Sequence, residues 1–309
     1  MNPSCGLLVL GSHRCGTSML AGLLALHGAF VGQTLPPGRN NPKGYWEHMG
    51  VNEANENMLA RLKLSWDWPF ALPPHWQERL APFEPLWVQA CTPFQEQSFW
   101  AVKDPRLCRL LPLWLPLFSR LGKKLCAVVV FRHPEGACRS LEKRNAMSRR
   151  RALALWLHHF VDALTHLRDL SWIAVDYERM LADPRQGIAT LAEKLDFYDR
   201  LRTPSDEALR DFVDPGLRHH QPAPPQSGEW LETSCYAFYE ALGARHLQGP
   251  DVMLARHADG LRAQLDEGRG LTLELVQEVY AEIPQLRAYK LSVELALAQQ
   301  ETQIIQSKK

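Results

Sequence analysis

The sequence predicts an α/β fold, a parallel sheet flanked by helices, on three observations. Short continuous apolar runs, each the length of one buried strand, stand at Leu7–Leu10, Phe99–Val102, Leu125–Phe131 and Trp172–Val175. Helix-length stretches separate them. None of the four runs alternates with polar residues, so each strand is covered on both faces, the environment of a parallel sheet. The chain of 309 residues is long enough for one large domain with additional structure.

The elements follow in order. Leu7–Leu10 runs into Gly11-Ser12-His13-Arg14-Cys15-Gly16-Thr17-Ser18, and Met19 to Leu26 reads as a helix. Strand, glycine-bracketed loop and helix form the layout of a phosphate-binding loop, whose backbone N–H groups and helix N-terminus face an anion. In the nucleoside-triphosphate version a Lys follows the second glycine. Here Gly11 and Gly16 hold both glycine positions and Ser18 holds the Ser/Thr position. Thr17 stands where the Lys would be, and the nearest cation is Arg14. Val31 to Glu47, rich in Pro, Gly and Asn, reads as a long loop over the mouth of the site, ending in Asn41-Pro42-Lys43-Gly44-Tyr45-Trp46-Glu47. Asn52 to Leu64 is expected to be helical, and Trp66 to Pro85 an irregular cover with short helical turns.

Phe99–Val102 continues into Lys103-Asp104-Pro105-Arg106, then Leu107 to Leu121 reads as a proline-interrupted helical stretch. Leu125–Phe131 is the clearest strand and ends in Arg132-His133-Pro134. Pro134 suits a first helical position, and that helix is expected to reach Asn145. Ser148 to Leu170 reads as a long amphipathic helix whose Arg149-Arg150-Arg151 start is solvated. Trp172–Val175 closes in Asp176-Tyr177-Glu178, and Gln186 to Leu195 is helical. The expected organisation is an α/β domain over 1–220, a Pro-rich linker over 221–229 and a helical C-terminal region over 230–309. That last region is a candidate lid, cap or self-association surface.

Bulk properties narrow the function. A net charge of +1 gives no global field toward nucleic acid or membrane. The seven cysteines form no C-x-x-C pair and no Cys/His cluster with zinc-finger spacing, so no metal centre is expected and a reducing, cytoplasmic setting is. No apolar run is long enough for a membrane span. His158-His159 and His219-His220 have no partner at metal spacing.

A second element completes the anion site. Arg132 ends the best strand and Ser140 lies eight residues on, in the next helix. Ligands gather at the carboxyl ends of strands in open α/β sheets, and an arginine with a hydroxyl nearby can close on a phosphate. A loop that keeps its glycines but lacks the triphosphate lysine, followed by Arg-x7-Ser after a buried strand, resembles the sulfotransferases that use 3′-phosphoadenosine 5′-phosphosulfate. The resemblance covers roughly residues 5–220 and is nearest the bacterial, tyrosylprotein and carbohydrate branches. Cys15 stands where the family has serine, which keeps the backbone N–H.

The resemblance implies that the backbone of Ser12, His13, Arg14, Cys15, Gly16, Thr17 and Ser18 holds the 5′-phosphosulfate. It implies that Arg132 and Ser140 hold the 3′-phosphate. It implies transfer of a sulfuryl group to a hydroxyl or amine, a carbohydrate acceptor by preference, without a metal and with 3′,5′-bisphosphoadenosine as product. Such transfer needs cations at the leaving phosphate and a base at the acceptor. Arg14 and Lys103 are the candidate cations, Lys103-Asp104-Pro105 matching a stretch of the tyrosylprotein branch. Glu47 resembles the glutamate base of the glutamate-using branches, with His48 and His13 as competitors; Lys43 is either a cofactor contact or exposed. Asp176 and Glu178 are read as structural. The rival readings are a phosphate-binding-loop kinase of a nucleoside or small metabolite, and a non-catalytic interaction module on the same fold.

Overall fold

The computed structural model describes residues 5–39, 41–121, 124–213, 225 and 227–281. The chain runs β1 (Cys5–Leu10), α1 (Thr17–Leu26), α2 (Met49–Arg61), α3 (Trp76–Leu80), α4 (Glu84–Cys91), β2 (Phe99–Lys103), α5 (Leu107–Ser119), β3 (Lys124–Phe131), α6 (Pro134–Asn145), α7 (Arg149–His166), β4 (Ser171–Asp176), α8 (Tyr177–Ala182), α9 (Pro184–Lys194), α10 (Asp206–Phe212), α11 (Trp230–Gly243), α12 (Val252–Asp266) and α13 (Leu273–Ala281). The four strands form one parallel sheet in the order β2-β1-β3-β4.

Strand alternation divides the core in two. Leu8 and Leu10 of β1, with Ala127, Val129 and Phe131 of β3, face a large cluster built with α2, α5, α7, α11 and α12. Leu7 and Val9, with Cys126, Val128 and Val130, face a smaller cluster built with α1, α9 and Leu209 of α10. Both faces of the sheet are therefore covered, which is why its strands are apolar throughout rather than alternating. The chain leaves β1 toward β2 and returns on the other side as β3. The crevice between the carboxyl ends of β1 and β3 is the switch point of the topology, where ligands gather in such sheets.

Three features differ from expectation for identifiable reasons. α2 begins at Met49 rather than Asn52, because the ring of His48 caps it, Nδ1 accepting from the Val51 N–H at 3.3 Å. α5 runs through Pro112 and Pro116 without a break. Each proline removes one N–H and strains the preceding turn, but Leu110, Leu111, Trp114, Leu117 and Phe118 are all buried and hold the helix to the core. The Arg149–Arg151 run is only partly solvated. Arg149 pairs with Glu135 and Glu232, Arg150 with Glu229, and Arg151 is buried against Asp67 at 2.8 Å.

The described part of the C-terminal region buries Leu231, Cys235, Phe238, Leu242, Leu254, Ala258 and Leu261 in the larger cluster, against α7. The segment after α11 also bonds the edge strand, Leu247 N–H donating to the Ala174 carbonyl at 2.7 Å and Ala174 N–H to the Gln248 carbonyl at 3.0 Å. Most of the expected linker, His219-His220 and the chain from Tyr289 onward lie outside the described residues. All seven cysteines are free and buried. Among the described residues, no helix is long and apolar enough to cross a membrane and no His/Cys/Asp/Glu group could hold a metal ion.

Candidate functional site

The loop between β1 and α1 is shaped by its glycines. Gly11 has φ 151°, and a Cβ there would lie 2.2 Å from the Val130 carbonyl oxygen. Gly16 has φ 90°, and a Cβ there would lie 2.1 Å from the ring of Tyr177. Only glycine fits either position. The Gly11 N–H donates to Cys108 Sγ at 3.1 Å, and the Cys15 N–H to the Ser12 carbonyl at 3.2 Å, which tightens the turn. No side chain caps α1, so the N–H groups of its first turn have no intrahelical acceptor. Ser12 is buried, and its Oγ has no hydrogen-bond partner among the described residues. A left-handed Arg14 (φ 66°) turns its side chain toward α6, where Nε donates to Ser140 Oγ at 2.7 Å.

Ser140 is thus engaged by the loop arginine. Arg132, at the end of β3, donates from Nε to Glu178 Oε1 at 2.9 Å and stacks over Tyr177, 4.9 Å from its ring centre. Burial lowers the pKa of Arg14, and the neighbouring Arg132 charge adds to that. Both arginines stand against the loop: Arg14 belongs to it and bonds Ser140, and Arg132 lies over the Tyr177 ring that Gly16 abuts. Burial raises the Glu178 carboxyl pKa, and Arg132 opposes the rise. Asp176 caps α8 and accepts from the Tyr239 hydroxyl at 3.4 Å.

On the opposite side of the loop, Lys103 leaves the end of β2 and is buried. Its ammonium makes three hydrogen bonds: to Glu47 Oε1 at 2.6 Å, to Ser18 Oγ at 3.1 Å and to the Tyr45 carbonyl at 3.1 Å. Ser18 Oγ also accepts from Asn41 Nδ2 at 3.0 Å and donates to the Tyr45 carbonyl at 3.0 Å. A hydroxyl has one proton and two lone pairs, so Ser18 is saturated. Glu47 Oε2 accepts from Asn52 Nδ2 at 2.9 Å, and Arg106 stands 3.9 Å away. Arg106 is itself fixed by Asp104 at 3.1 Å and by Glu56. Burial alone would lower the Arg106 pKa, but the carboxylates of Asp104, Glu56 and Glu47 outweigh it and raise the value.

The other candidates face elsewhere. His48 caps α2 and packs on Phe94, ring centres 4.9 Å apart; burial lowers its pKa. His13 lies 4.5 Å from Trp66 and 5.3 Å from His159, ring centre to ring centre, and burial with the His159 charge holds it well below the usual histidine range. Lys43 reaches α10 and donates to the Asp211 carbonyl. The structure thus gathers Ser12, Arg14, Ser18, Lys103, Glu47, Arg132 and Ser140 around one loop. Sequence reasoning did not single out Asn41, Asn52, Arg106, Trp66 or Arg144. Asn41 and Arg106 lie inside stretches that drew attention for other residues, whereas Arg144 and Trp66 carry no motif signal.

The donor set suits a polyanion. A cradle that only glycines fit, an orphaned buried hydroxyl and two arginines at the helix N-terminus match the shape and charge of phosphate oxygens. No family model and no curated protein matches the chain. Among solved structures, it is similar to a sulfotransferase domain from the Synechococcus PCC 7002 olefin synthase. The identity is 18% and the TM-score 0.46, covering 77% of this chain and 95% of that one. It is also similar to a sulfotransferase domain from the curacin biosynthetic pathway, at 15% identity and a TM-score of 0.42, covering 77% of this chain and 98% of that one.

Proposed function

We propose that this protein is a sulfotransferase that takes its sulfuryl group from 3′-phosphoadenosine 5′-phosphosulfate and passes it to a hydroxyl acceptor. The observation that carries the reading is the saturation of Ser18. In a kinase with this loop, the equivalent hydroxyl binds magnesium and the loop lysine binds phosphate. Here the Ser18 hydroxyl holds Lys103 and Asn41 on its lone pairs and spends its proton on the Tyr45 carbonyl, leaving nothing for a metal. The lysine missing at Thr17 is supplied from β2 instead, as an ammonium at the mouth of the loop.

The bound donor would supply an activated sulfuryl group whose bond to the 5′-phosphate breaks as the bond to the acceptor oxygen forms. The loop backbone from Ser12 to Ser18 would hold the phosphosulfate end, and Arg14, Arg132 and Ser140 the phosphates. Lys103 neutralises charge that builds on the leaving oxygen. Glu47 takes the acceptor proton; its carboxylate is kept in place by Lys103 and Asn52. A proton gained by Glu47 weakens its hold on the ammonium just as negative charge grows on the leaving phosphate, so base and electrophile act together. His48 Nδ1 is committed to the cap, and His13 is buried, with burial holding it well below the usual histidine range, which favours Glu47 as the base.

The test is transfer itself. Purified protein is incubated with sulfur-labelled donor and a mixed set of sugar, phenol and peptide hydroxyls. Label moving to an acceptor, retained in EDTA and lost in Glu47→Gln, supports the reading. Transfer of phosphate from labelled ATP instead would replace it with a kinase.

A further inference from the structure

The donor groups at the mouth of the loop are engaged by the protein's own oxygens. An ammonium has three hydrogens. Lys103 gives one each to Glu47 Oε1, Ser18 Oγ and the Tyr45 carbonyl. The Ser18 hydroxyl has one hydrogen and gives it to the same Tyr45 carbonyl. Two side-chain donors, one of them charged, therefore converge on a single backbone oxygen in the first turn of α1, at 3.0 and 3.1 Å. A cation and a hydroxyl aimed at one point beside a helix N-terminus make a place for an anionic oxygen. Here a neutral peptide carbonyl fills it.

The peptide that delivers this carbonyl lies between two residues with left-handed backbone. Gly44 has φ 98° and Trp46 has φ 58°. Glycine adopts that region freely. A tryptophan there is disfavoured, and its conformation persists only because surrounding contacts hold it. Trp46 Nε1–H donates to the Lys43 carbonyl at 2.8 Å, and the ring packs edge-on against Phe212, ring centres 5.9 Å apart. The chain is fastened on both sides of this stretch. Gly38 and Asn41 exchange backbone hydrogen bonds at 2.9 and 3.2 Å. The Leu35 N–H donates to the Glu47 carbonyl at 2.9 Å, and the Met49 N–H to the Gln33 carbonyl at 2.8 Å. Residues 42–46 thus form a short strap between two anchors, with a left-handed residue on each side of Tyr45. Rotation at those two residues can withdraw the carbonyl while the anchors, and Glu47 with them, stay in place.

We propose that the Tyr45 carbonyl occupies the place of a donor oxygen, and that the strap of residues 42–46 withdraws it when 3′-phosphoadenosine 5′-phosphosulfate binds. The inference rests on the transfer reading and deepens it. Withdrawal frees the Ser18 hydroxyl hydrogen and one Lys103 hydrogen together, and both then face the incoming anion. The lone pairs of Ser18 stay with Lys103 and Asn41, so the site opens to an anion and remains closed to a metal. Lys103 also keeps Glu47, so the base is undisturbed.

The experiment watches that one carbonyl. Tyr45-Trp46 is the only Tyr-Trp pair in the sequence. Protein made with carbonyl-labelled tyrosine and amide-labelled tryptophan therefore gives one coupled NMR signal, from that peptide. On titration with 3′,5′-bisphosphoadenosine the Tyr45 carbonyl should shift upfield, as a carbonyl does when it loses hydrogen bonds. Lys103→Met, which removes one of the two bonds, should move it part of the way without ligand. Trp46→Phe keeps an aromatic ring against Phe212 but drops the bond to the Lys43 carbonyl, loosening the strap while every donor of the site is kept. By calorimetry it should bind bisphosphate about twofold to tenfold more tightly, because less binding energy goes into displacing the strap. A wild-type carbonyl signal that stays in place or moves downfield at saturating bisphosphate overturns the inference and leaves the transfer reading standing. Unchanged or weaker binding by Trp46→Phe overturns it too. Failure of the wild type to bind bisphosphate at all overturns the transfer reading, and this inference falls with it.

Discussion

Replacing Lys103 by Met removes the ammonium while keeping most of the stem. The residue is 3% exposed, and its three hydrogen bonds tie β2 to α1 and to the loop that ends in Glu47. Removing one partner of a buried ion pair costs about 3–5 kcal/mol, because the other charge stays buried. Glu47 keeps Asn52 at 2.9 Å and Arg106 at 3.9 Å, which places the expected cost at the lower end, about 3 kcal/mol. At about 2 °C per kcal/mol for a chain of this size, Tm should fall by about 6 °C. Glu47→Gln, which leaves the ammonium with Ser18 and the Tyr45 carbonyl, should cost less. The double variant should recover part of the loss, with a coupling energy of at least about 1 kcal/mol. The assay is thermal and urea unfolding of the wild type, both singles and the double. Additivity within about 0.5 kcal/mol would mean that the two side chains do not act on one another, and would refute the pairing on which the proposed base and electrophile depend. The same Lys103 variant should lose about 10²-fold or more in transfer rate.

Three other outcomes are expected. Gly16→Ala puts a Cβ 2.1 Å from the Tyr177 ring at φ 90°, so it should destabilise by about 1–3 kcal/mol and weaken bisphosphate binding, measured by urea unfolding and calorimetry. Arg132→Ala should lower bisphosphate affinity by about tenfold to a hundredfold, measured by calorimetry; unchanged affinity would remove Arg132 from the donor site. Stability should fall as pH drops below about 6.5, because the unfolded chain protonates histidines that the fold keeps neutral. His159, pushed down to about 3 by burial and by the Arg109 charge, takes up its proton only after unfolding over that whole window. Its contribution is complete above 6.5 and is lost as pH falls toward 3. His159→Gln should reduce the slope of stability against pH by about one proton between those limits, read from urea unfolding at several pH values.

Much of the fold was legible because its strands are short apolar runs with both faces covered. Leu7–Leu10, Phe99–Val102, Leu125–Phe131 and Trp172–Val175 all lie within observed strands, and the glycine-bracketed loop sits at the switch point, as the strand–loop–helix layout implies. The helix boundaries that differ do so through side chains acting at a distance or against propensity. The His48 cap moved the start of α2, and burial of Trp114 and its neighbours carried α5 through two prolines. The Arg149–Arg151 run looked solvated because its partners, Glu135, Glu232, Glu229 and Asp67, are up to 84 residues away in sequence.

Residues of the candidate site could be picked out of the sequence one by one, but not the network that joins them. Glu47 and Lys103 were each singled out, yet nothing in a one-dimensional pattern joins residues 56 positions apart into one ion pair. The bond from Arg14 to Ser140 spans 126 positions, and the expected pairing of Ser140 with Arg132 came from spacing alone. Arg144 and Trp66 had no signal at all, because a cation–aromatic contact between a loop and a helix end follows no local period.

The most direct test of the central claim, that this loop holds a phosphosulfate donor without a metal, is calorimetric titration with 3′,5′-bisphosphoadenosine, with ADP, and with ATP plus magnesium. The account predicts tight bisphosphate binding that EDTA does not alter, and weak binding of ADP and of ATP with magnesium. Preference for ATP with magnesium, or bisphosphate binding that vanishes in EDTA, would contradict it.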